Sequence, residues 1–308
     1  MNNPLLTKNR IIMKKTFIFS AALLLSLLTF TRCDHENGED NGGGNGNTDN
    51  TCAVVDADGN CYDTVHIGSQ IWMKSNLRTT HFRDGSAIPF GSSTNTAGPW
   101  YFQPSTADAP GYSSETYGLY YSEKAVHDTR GLCPAGWHVP TLADWDDMEK
   151  HVCTHYGTYF NFVHNYGQEY YEEFEEYMQD FLEGYYDGSY EGDLYPFLFN
   201  EDIPIAKTLA SQTGWSVSDY DDEAILVPAI HPEYNNSTRL SVYPAGYCVL
   251  HENTPYFWYG ESTGLWTSTK YNPAEYGSWH CEFNGGAEFI WPYYADNDIG
   301  LPVRCVKD

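Results

Sequence analysis

The sequence has little positive charge. It carries 16 Lys+Arg residues against 42 Asp+Glu residues, a formal net charge of -26. A surface this negative repels nucleic acid and anionic lipid headgroups, so we expect no nucleic-acid partner and no direct binding to an acidic membrane surface. The same charge suits solubility, a bound cation or a cationic partner.

The sequence also lacks the motifs of several enzyme and metal-site classes. It has 8 Cys, but no two of them form a CxxC pair, which excludes zinc ribbons and thioredoxin-like redox sites. No Gly-x-Ser-x-Gly elbow, phosphate-binding loop or His-Glu-x-x-His motif is present. With 42 acids, paired carboxylates are unavoidable and do not indicate a hydrolase. We therefore expect a protein without catalytic activity.

An export signal occupies the N-terminus. Basic residues at 8–15 precede an apolar run at 17–30, which is shorter than the roughly 20 residues that span a bilayer. A basic start followed by a short apolar core is typical of a signal peptide. Cys33 follows the run and resembles the acylated cysteine of a bacterial lipobox, although Arg32 stands where that motif has a small residue. The alternative is a signal that is uncleaved or cleaved elsewhere.

We therefore divide the chain into a lipoprotein signal segment at 1–33, a Gly/Asn-rich tether at 34–50 and one domain at 51–308. The tether has too few apolar residues to form a core. Its acidic start is similar to the surface-export signal of Bacteroidetes lipoproteins, and a solvated linker explains the charges equally well. The prediction is an outer-membrane lipoprotein that contacts the membrane only through its lipid.

The domain is rich in aromatic residues, which make up 16% of the sequence and are enough to build a core. Its start, at residues 54–62, indicates a β-hairpin with Asp58-Gly59 in the turn. Cys52 and Cys61 flank this turn, which favours a disulfide between them over a metal site. An EF-hand loop beginning at Asp56 would need Glu at its twelfth position, where Ile67 stands.

Two helices are expected among many short strands, which indicates an α+β fold. The first begins after Thr141 as N-cap, with apolar residues at helical spacing that predict a buried face. The second runs over about 204–212. Between them, residues 154–203 have no Lys or Arg and many Tyr, Phe, Glu and Asp residues. We expect this acidic insertion to pack its aromatic side on the domain and to expose its carboxylates.

Several motifs in a fixed order carry a family resemblance that covers most of 52–308. They include VHIGSQIWM at 65–73, YGLYY at 117–121, LCPAGWHVPT at 132–141, LWTST at 265–269 and VRCVKD at 303–308. The domain resembles the Fibrobacter succinogenes major paralogous domain, which is common in predicted lipoproteins of Bacteroidetes. Relative to that family, 154–203 looks like an insertion.

Two of the motifs also resemble another group of proteins. VPTLADW at 139–145 is similar to the helix-opening motif of formylglycine-generating enzymes, and the end of the chain is similar to the last strand of C-type lectin domains. The resemblance implies the C-type lectin-like fold: paired terminal strands, two helices and long loops. In that fold Cys133 lies near Cys305, which implies a disulfide between them. Cys248–Cys281 is a weaker second pairing, which leaves Cys153 free.

Candidate binding residues lie in the later loops, and each has an ordinary structural alternative. Calcium prefers oxygen ligands, and the loop acids that would supply them are Asp219, Asp221, Asp222, Glu223, Asp296 and Asp298. Aromatic side chains that would stack on sugar rings are Trp258, Tyr259, Trp279, Trp291, Tyr293 and Tyr294. The spacing of His151, Cys153 and His155 does not fit a standard zinc pattern.

The function expected from these features is display of a lectin-like domain that binds glycan or protein ligands at the cell surface, without an obligatory cofactor and with calcium as an optional ion. A structural or adhesin role through the acidic insertion is the alternative. An extracytoplasmic enzyme is the third, because a shared fold does not carry an activity with it.

Lipidation at Cys33 is directly testable. Cells that express the chain and are fed labelled palmitate should yield a labelled protein, and Cys33→Ala should abolish the label because the acylated thiol is gone. The Cys153→Ala chain serves as control and should keep the label. Labelling that persists in Cys33→Ala would overturn the prediction.

Overall fold

The domain consists of short antiparallel strands with helices between them. The computed structural model describes residues 52–105, 107, 109–155, 168–187, 195–198, 204–216, 227–250, 256–257, 259–271 and 277–308. The strands are β1 (Val54–Val55), β2 (Cys61–Tyr62), β3 (Thr64–Ile67), β4 (Gln70–Met73), β5 (Tyr101–Phe102), β6 (Tyr120–Ser122), β7 (Trp137–His138), β8 (Cys248–Val249), β9 (Tyr256–Phe257), β10 (Ser262–Lys270), β11 (Ser278–Asn284), β12 (Trp291–Ala295), β13 (Ile299–Leu301) and β14 (Val306–Lys307). The helices are α1 (Ser114–Tyr117), α2 (Glu123–Val126), α3 (Leu142–Thr154), α4 (Gln168–Asp187) and α5 (Ala206–Leu209), with a 3-10 turn at Pro232–Tyr234.

The strands form a hairpin and three sheets. The hairpin is β1-β2, and the sheets have the orders β3-β4-β14-β7, β5-β6-β13-β8-β9 and β10-β11-β12. Every pairing between these strands is antiparallel. Helices and antiparallel sheets together confirm the α+β class that the sequence predicted.

The predicted N-terminal hairpin is present. Gly59 occupies its turn with φ of +82°, a backbone conformation that glycine adopts without steric cost. The Asp56 carboxylate accepts hydrogen bonds from the backbone and the side-chain amide of Asn60, each at 2.9 Å. This acid is therefore engaged within the turn. A disulfide joins Cys52 to Cys61 across the hairpin, as expected.

The C-terminal strand β14 lies between β4 and β7, so Val306 is paired with both Trp72 and His138. A disulfide joins Cys133 to Cys305 beside this strand, which is the pairing that the family resemblance implied. The cross-link closes a loop of 172 residues. For loops of this size a disulfide stabilises the fold by about 2–5 kcal/mol.

Helix α3 buries the face that the sequence predicted. Thr141 and Asp144 form a capping box at its start, which satisfies backbone N–H groups that a helix end leaves free. Leu142, Trp145, Met148 and Val152 are buried, and the Trp145 ring lies 5.0 Å from that of Trp72 in β4. The helix is therefore packed against the sheet that holds both ends of the domain.

Helix α3 also contacts the acidic insertion. The buried carboxylate of Asp146 accepts hydrogen bonds from the backbone N–H groups of Phe197 and Leu198, at 2.9 and 3.0 Å. In α4, Met178 and Phe181 are buried in the same core cluster as α3, whereas Glu176, Asp180 and Glu183 are exposed. In its described part the insertion thus packs apolar side chains inward and presents carboxylates to water.

Three expectations about the fold were wrong. The described residues contain five α-helices where two were expected, because short turns of helix connect the strands and the insertion contributes α4. The helix expected over 204–212 is α5 alone, since the backbone becomes extended at Ala210 and the N–H of Ser211 bonds to the carbonyl of Val242.

The third wrong expectation is the Cys248–Cys281 disulfide. Both thiols are free and buried, as is that of Cys153. Cys248 lies in β8 and packs in a core cluster with Trp100, whereas Cys281 lies in β11 and packs in the cluster of α3. The two residues belong to different sheets and different parts of the core, so no bond forms between them.

Across the residues that the structure describes, no helix combines the length and the apolar character needed to cross a membrane.

Asp146 should be needed to hold the insertion on α3. Asp146→Ala leaves two buried N–H groups without an acceptor, and we expect it to lower the free energy of unfolding by about 1–3 kcal/mol. The neighbouring exposed Asp147→Ala is the matched control and should be nearly neutral. Chemical denaturation measures the loss. Hydrogen exchange should accelerate in α4 and at 195–198, and equal protection in both variants would contradict this docking role.

Candidate functional site

The candidate site is built on the three-stranded sheet β10-β11-β12. Side chains of a strand alternate between its two faces, and in β11 Trp279, Cys281 and Phe283 pack toward the core of α3. His280 and Glu282 therefore lie on the other face. His280 is paired with Tyr293 of β12, and their rings are 6.0 Å apart.

A cavity of about 160 Å³ opens on the face that carries His280 and Glu282. An apolar cavity of about 150 Å³ holds one benzene molecule, so this cavity is large enough for one six-membered ring. The residues that line it are Tyr247, Gly264, His280, Glu282, Tyr293, Tyr294, Ala295, Ile299 and Leu301. The walls are thus mainly apolar and aromatic, with a few polar groups, as in many ligand sites.

Gly264 in β10 creates part of this space. A Cβ atom at this position would come within 2.7 Å of the His280 ring and 2.9 Å of the Leu301 side chain. Any side chain here would therefore displace a wall of the cavity, and the absence of one leaves room for both neighbours.

The polar groups of the cavity differ in whether they have hydrogen-bond partners. His280 is 5% exposed, and its Nδ1 atom has no hydrogen-bond partner among the residues that the structure describes. Its Nε2 atom lies 3.7 Å from the Glu282 carboxylate, whose side chain is partly exposed. The pKa of Tyr247 is raised, first by burial and then by the negative charge of Glu282. The negative charge of Glu282 therefore acts on the Tyr247 hydroxyl.

Strand β12 carries three exposed aromatic side chains, Trp291, Tyr293 and Tyr294. Tyr271, which follows β10, stacks on Tyr294, and we call these four residues the aromatic edge. They are 38%, 52%, 45% and 46% exposed, respectively. The Tyr271 and Tyr294 rings are stacked 4.3 Å apart, and the Tyr293 ring is 5.5 Å from that of Tyr294. Stacked rings of this kind form a rigid apolar surface that stays open to solvent.

Of the six predicted ligand-binding aromatics, Tyr293 and Tyr294 line the cavity. Trp291 lies in the same strand, with its ring 5.6 Å from that of Phe289. Trp279 is half-buried beside them, with its ring 6.5 Å from that of Tyr294, and packs against the core. Tyr259 lies elsewhere, where its hydroxyl donates to the carbonyl of Pro110. Trp258 lies outside the described residues.

The predicted calcium ligands are not assembled in the part of the chain that the structure describes. Asp296 and Asp298 are exposed in the turn between β12 and β13. The acids at 219–223 lie outside the described residues. No group of three or more His, Cys, Asp or Glu side chains suited to a metal occurs among the described positions, which include His151, Cys153 and His155. Cys33 also lies outside them.

A cluster of Ser278, His127 and Glu123 resembles a hydrolytic triad by composition but differs in geometry. His127 Nε2 is 2.6 Å from Ser278 Oγ and 3.5 Å from the Glu123 carboxylate. In a triad the acid holds the other ring nitrogen, whereas here both partners face the same one. Ser278 is fully buried, and burial lowers the pKa of His127 to about 4. The cluster joins α2 to β11 and gives no access to a substrate.

His280, Glu282, Tyr247 and Gly264 were not among the predicted site residues. The alternation in β11 would have placed His280 and Glu282 on one face, opposite the apolar residues. Tyr247 and Gly264 gave no such signal. Tyr247 follows the isolated bridge between Gly246 and Thr263, and Gly264 is paired with Glu282 of β11 but has no side chain to indicate a site.

Fold and site together define an α+β domain that presents an aromatic edge beside a small cavity. The family model of the Fibrobacter succinogenes major domain matches residues 65–307. The chain belongs to this family. No curated protein and no solved structure matches the chain.

Gly264 offers a test of the cavity geometry. Gly264→Ala places a methyl group against His280 and Leu301, and overpacking of this kind should lower the free energy of unfolding by roughly 1–3 kcal/mol. Gly98→Ala is the control, because a Cβ there meets no atom within 4 Å. Equal stability of the two variants in urea denaturation would show that the strand face is not closed as described.

Proposed function

We propose that this protein is a cell-envelope lipoprotein that displays a non-catalytic, lectin-like domain and binds glycan at the aromatic edge and the adjoining cavity. The observation that carries the proposal is the meeting of four exposed aromatic rings with a cavity sized for one six-membered ring. Cys33 would anchor the chain in the outer membrane, and the tether would hold the domain away from it.

The chemistry of the site suits a sugar. The C–H face of a sugar ring is apolar and packs well on an aromatic ring, while its hydroxyl groups need hydrogen-bond partners. The aromatic edge supplies the rings, with Tyr293 and Tyr294 at the cavity. Glu282 and Tyr247 supply polar groups at its wall, the usual combination in small-molecule sites.

The C-type lectin-like fold is part of the proposal. Strands from the start and the end of the domain lie in one sheet, β3-β4-β14-β7, and α3 packs on it, as the resemblance implies. The two disulfides are compatible with an oxidising, extracytoplasmic location.

A second candidate function uses the acidic insertion. Glu176, Asp180 and Glu183 of α4 are exposed, while the apolar side of that helix is fixed on α3. A rigidly held acidic helix suits contact with a cationic protein surface, as in an adhesin or a structural component of the envelope.

The test of glycan binding is an array probed with the purified full-length protein, with and without calcium. We expect a defined set of sugars to give signals, and Trp291→Ala or Tyr293→Ala to reduce them at least about tenfold, since stacking on an aromatic ring contributes on the order of 1 kcal/mol or more. Tyr186→Ala is the matched control, because it removes an exposed ring from α4.

Uniformly flat arrays, or signals that survive both β12 substitutions, would contradict the proposed site. A chain without residues 165–200 that keeps its array signals but loses binding to envelope proteins would support the insertion as a separate partner site.

A further inference from the structure

We propose that the cavity selects a ligand that carries an ammonium group, with Glu282 as its counter-charge and the rings of Tyr247 and Tyr293 as its walls. The inference rests on the proposed function and names the chemistry of its ligand. An amino sugar and a methylated amine headgroup share this chemistry.

The charge of the cavity is the first argument. Among the described residues that line it, Glu282 is the one carboxylate, and no Lys or Arg is present. The carboxylate side chain is 39% exposed, so it is accessible and not compensated by an Arg or Lys of the wall. A carboxylate in this position favours a cation over a neutral or anionic ligand.

The aromatic walls of the cavity also favour a cationic ligand. The negative face of an aromatic ring attracts an ammonium group placed within about 6 Å of its centre. Tyr247, Tyr293 and Tyr294 all line the cavity together with Glu282. Several rings around one carboxylate form the arrangement that recognises ammonium groups in proteins.

His280 lies beside Glu282 in the wall. Its Nε2 atom is 3.7 Å from the Glu282 carboxylate, and its Nδ1 atom is enclosed and has no partner among the described residues. The side chain of Glu282 is the more exposed of the two, 39% against 7%, so a ligand in the cavity contacts the carboxylate.

The remainder of the protein supports the approach of a cation. The net charge of the chain is -26, and a field of this sign raises the local concentration of cationic ligands near the surface. The raised pKa of Tyr247, caused by burial and then by the Glu282 charge, agrees with a negative potential inside the cavity.

The experiment is calorimetric titration of the full-length protein with glucosamine, glucose and tetramethylammonium. We expect glucosamine to bind roughly tenfold more tightly than glucose, as one cation–aromatic contact in a desolvated site implies. Glu282→Gln keeps the size of the side chain and removes its charge, so it should abolish the difference in affinity between glucosamine and glucose. Tyr293→Leu should weaken the binding of both glucosamine and tetramethylammonium.

Glu261→Gln is the control, because this exposed carboxylate precedes the same sheet but does not line the cavity. It should leave all three affinities unchanged. Thermal unfolding of each variant separates a lost contact from a lost fold.

The outcomes distinguish this inference from the proposed function. Equal binding of glucose and glucosamine, insensitive to Glu282→Gln, would overturn ammonium selection and leave glycan binding in place. Binding of tetramethylammonium that Glu282→Gln abolishes, without binding of either sugar, would support the ammonium site and overturn the glycan role. Absence of binding by all three probes would overturn both.

Discussion

The return of the chain terminus to the start of the domain is the constraint on which the other parts depend. β14 lies between β4 and β7, the Cys133–Cys305 disulfide holds it there, and the N–H of Leu77 bonds to the carbonyl of Val303. Just before β14, the chain forms β13, which joins the five-stranded sheet and supplies Ile299 and Leu301 to the cavity. Without this closure the sheet that carries His280 would face solvent where it now faces an apolar wall. The last ten residues therefore organise both the core and the candidate site.

Two buried cations are the second constraint. Hydrogen bonds to protein groups replace the water that these side chains lose on burial. Arg304 is fully buried, where it donates to the Asn76 side chain and to the carbonyls of Leu240 and Ser241, and burial lowers its pKa to about 9. Lys207 is buried against the carbonyls of Val227, Ile230 and His231, and burial lowers its pKa to about 8. A buried charge without such acceptors would cost several kcal/mol. These cations therefore hold the loop at 227–241 against α5 and the C-terminal segment. If the loop moved away, the buried charges would lose their hydrogen-bond acceptors.

The candidate site follows from one sheet that serves two purposes. One face of β10-β11-β12 completes the core around α3, with Cys281 and Phe283 fully buried. The other face and the outer strand β12 carry polar and aromatic groups that the core does not use. Exposed aromatic side chains on an outer strand are an aggregation hazard, and they are the groups on which the proposed glycan site rests. The net charge of -26 offsets this hazard through repulsion between molecules.

The sequence by itself determined the elements whose signals are local. The Asp-Gly turn predicted the first hairpin, the spacing from Leu142 to Val152 predicted the buried face of α3, and ordered motifs predicted the family and, through it, the Cys133–Cys305 bond. It also placed Trp291, Tyr293 and Tyr294 among the candidate ligand residues. Only the tertiary structure decided which residues meet across the sheets. Cys248 and Cys281 are 33 residues apart yet lie in different sheets, and the segment of Tyr247 reaches the sheet of Glu282 through an isolated bridge between Gly246 and Thr263. Strand pairing over long separations depends on how the whole core packs, and local propensity does not encode it.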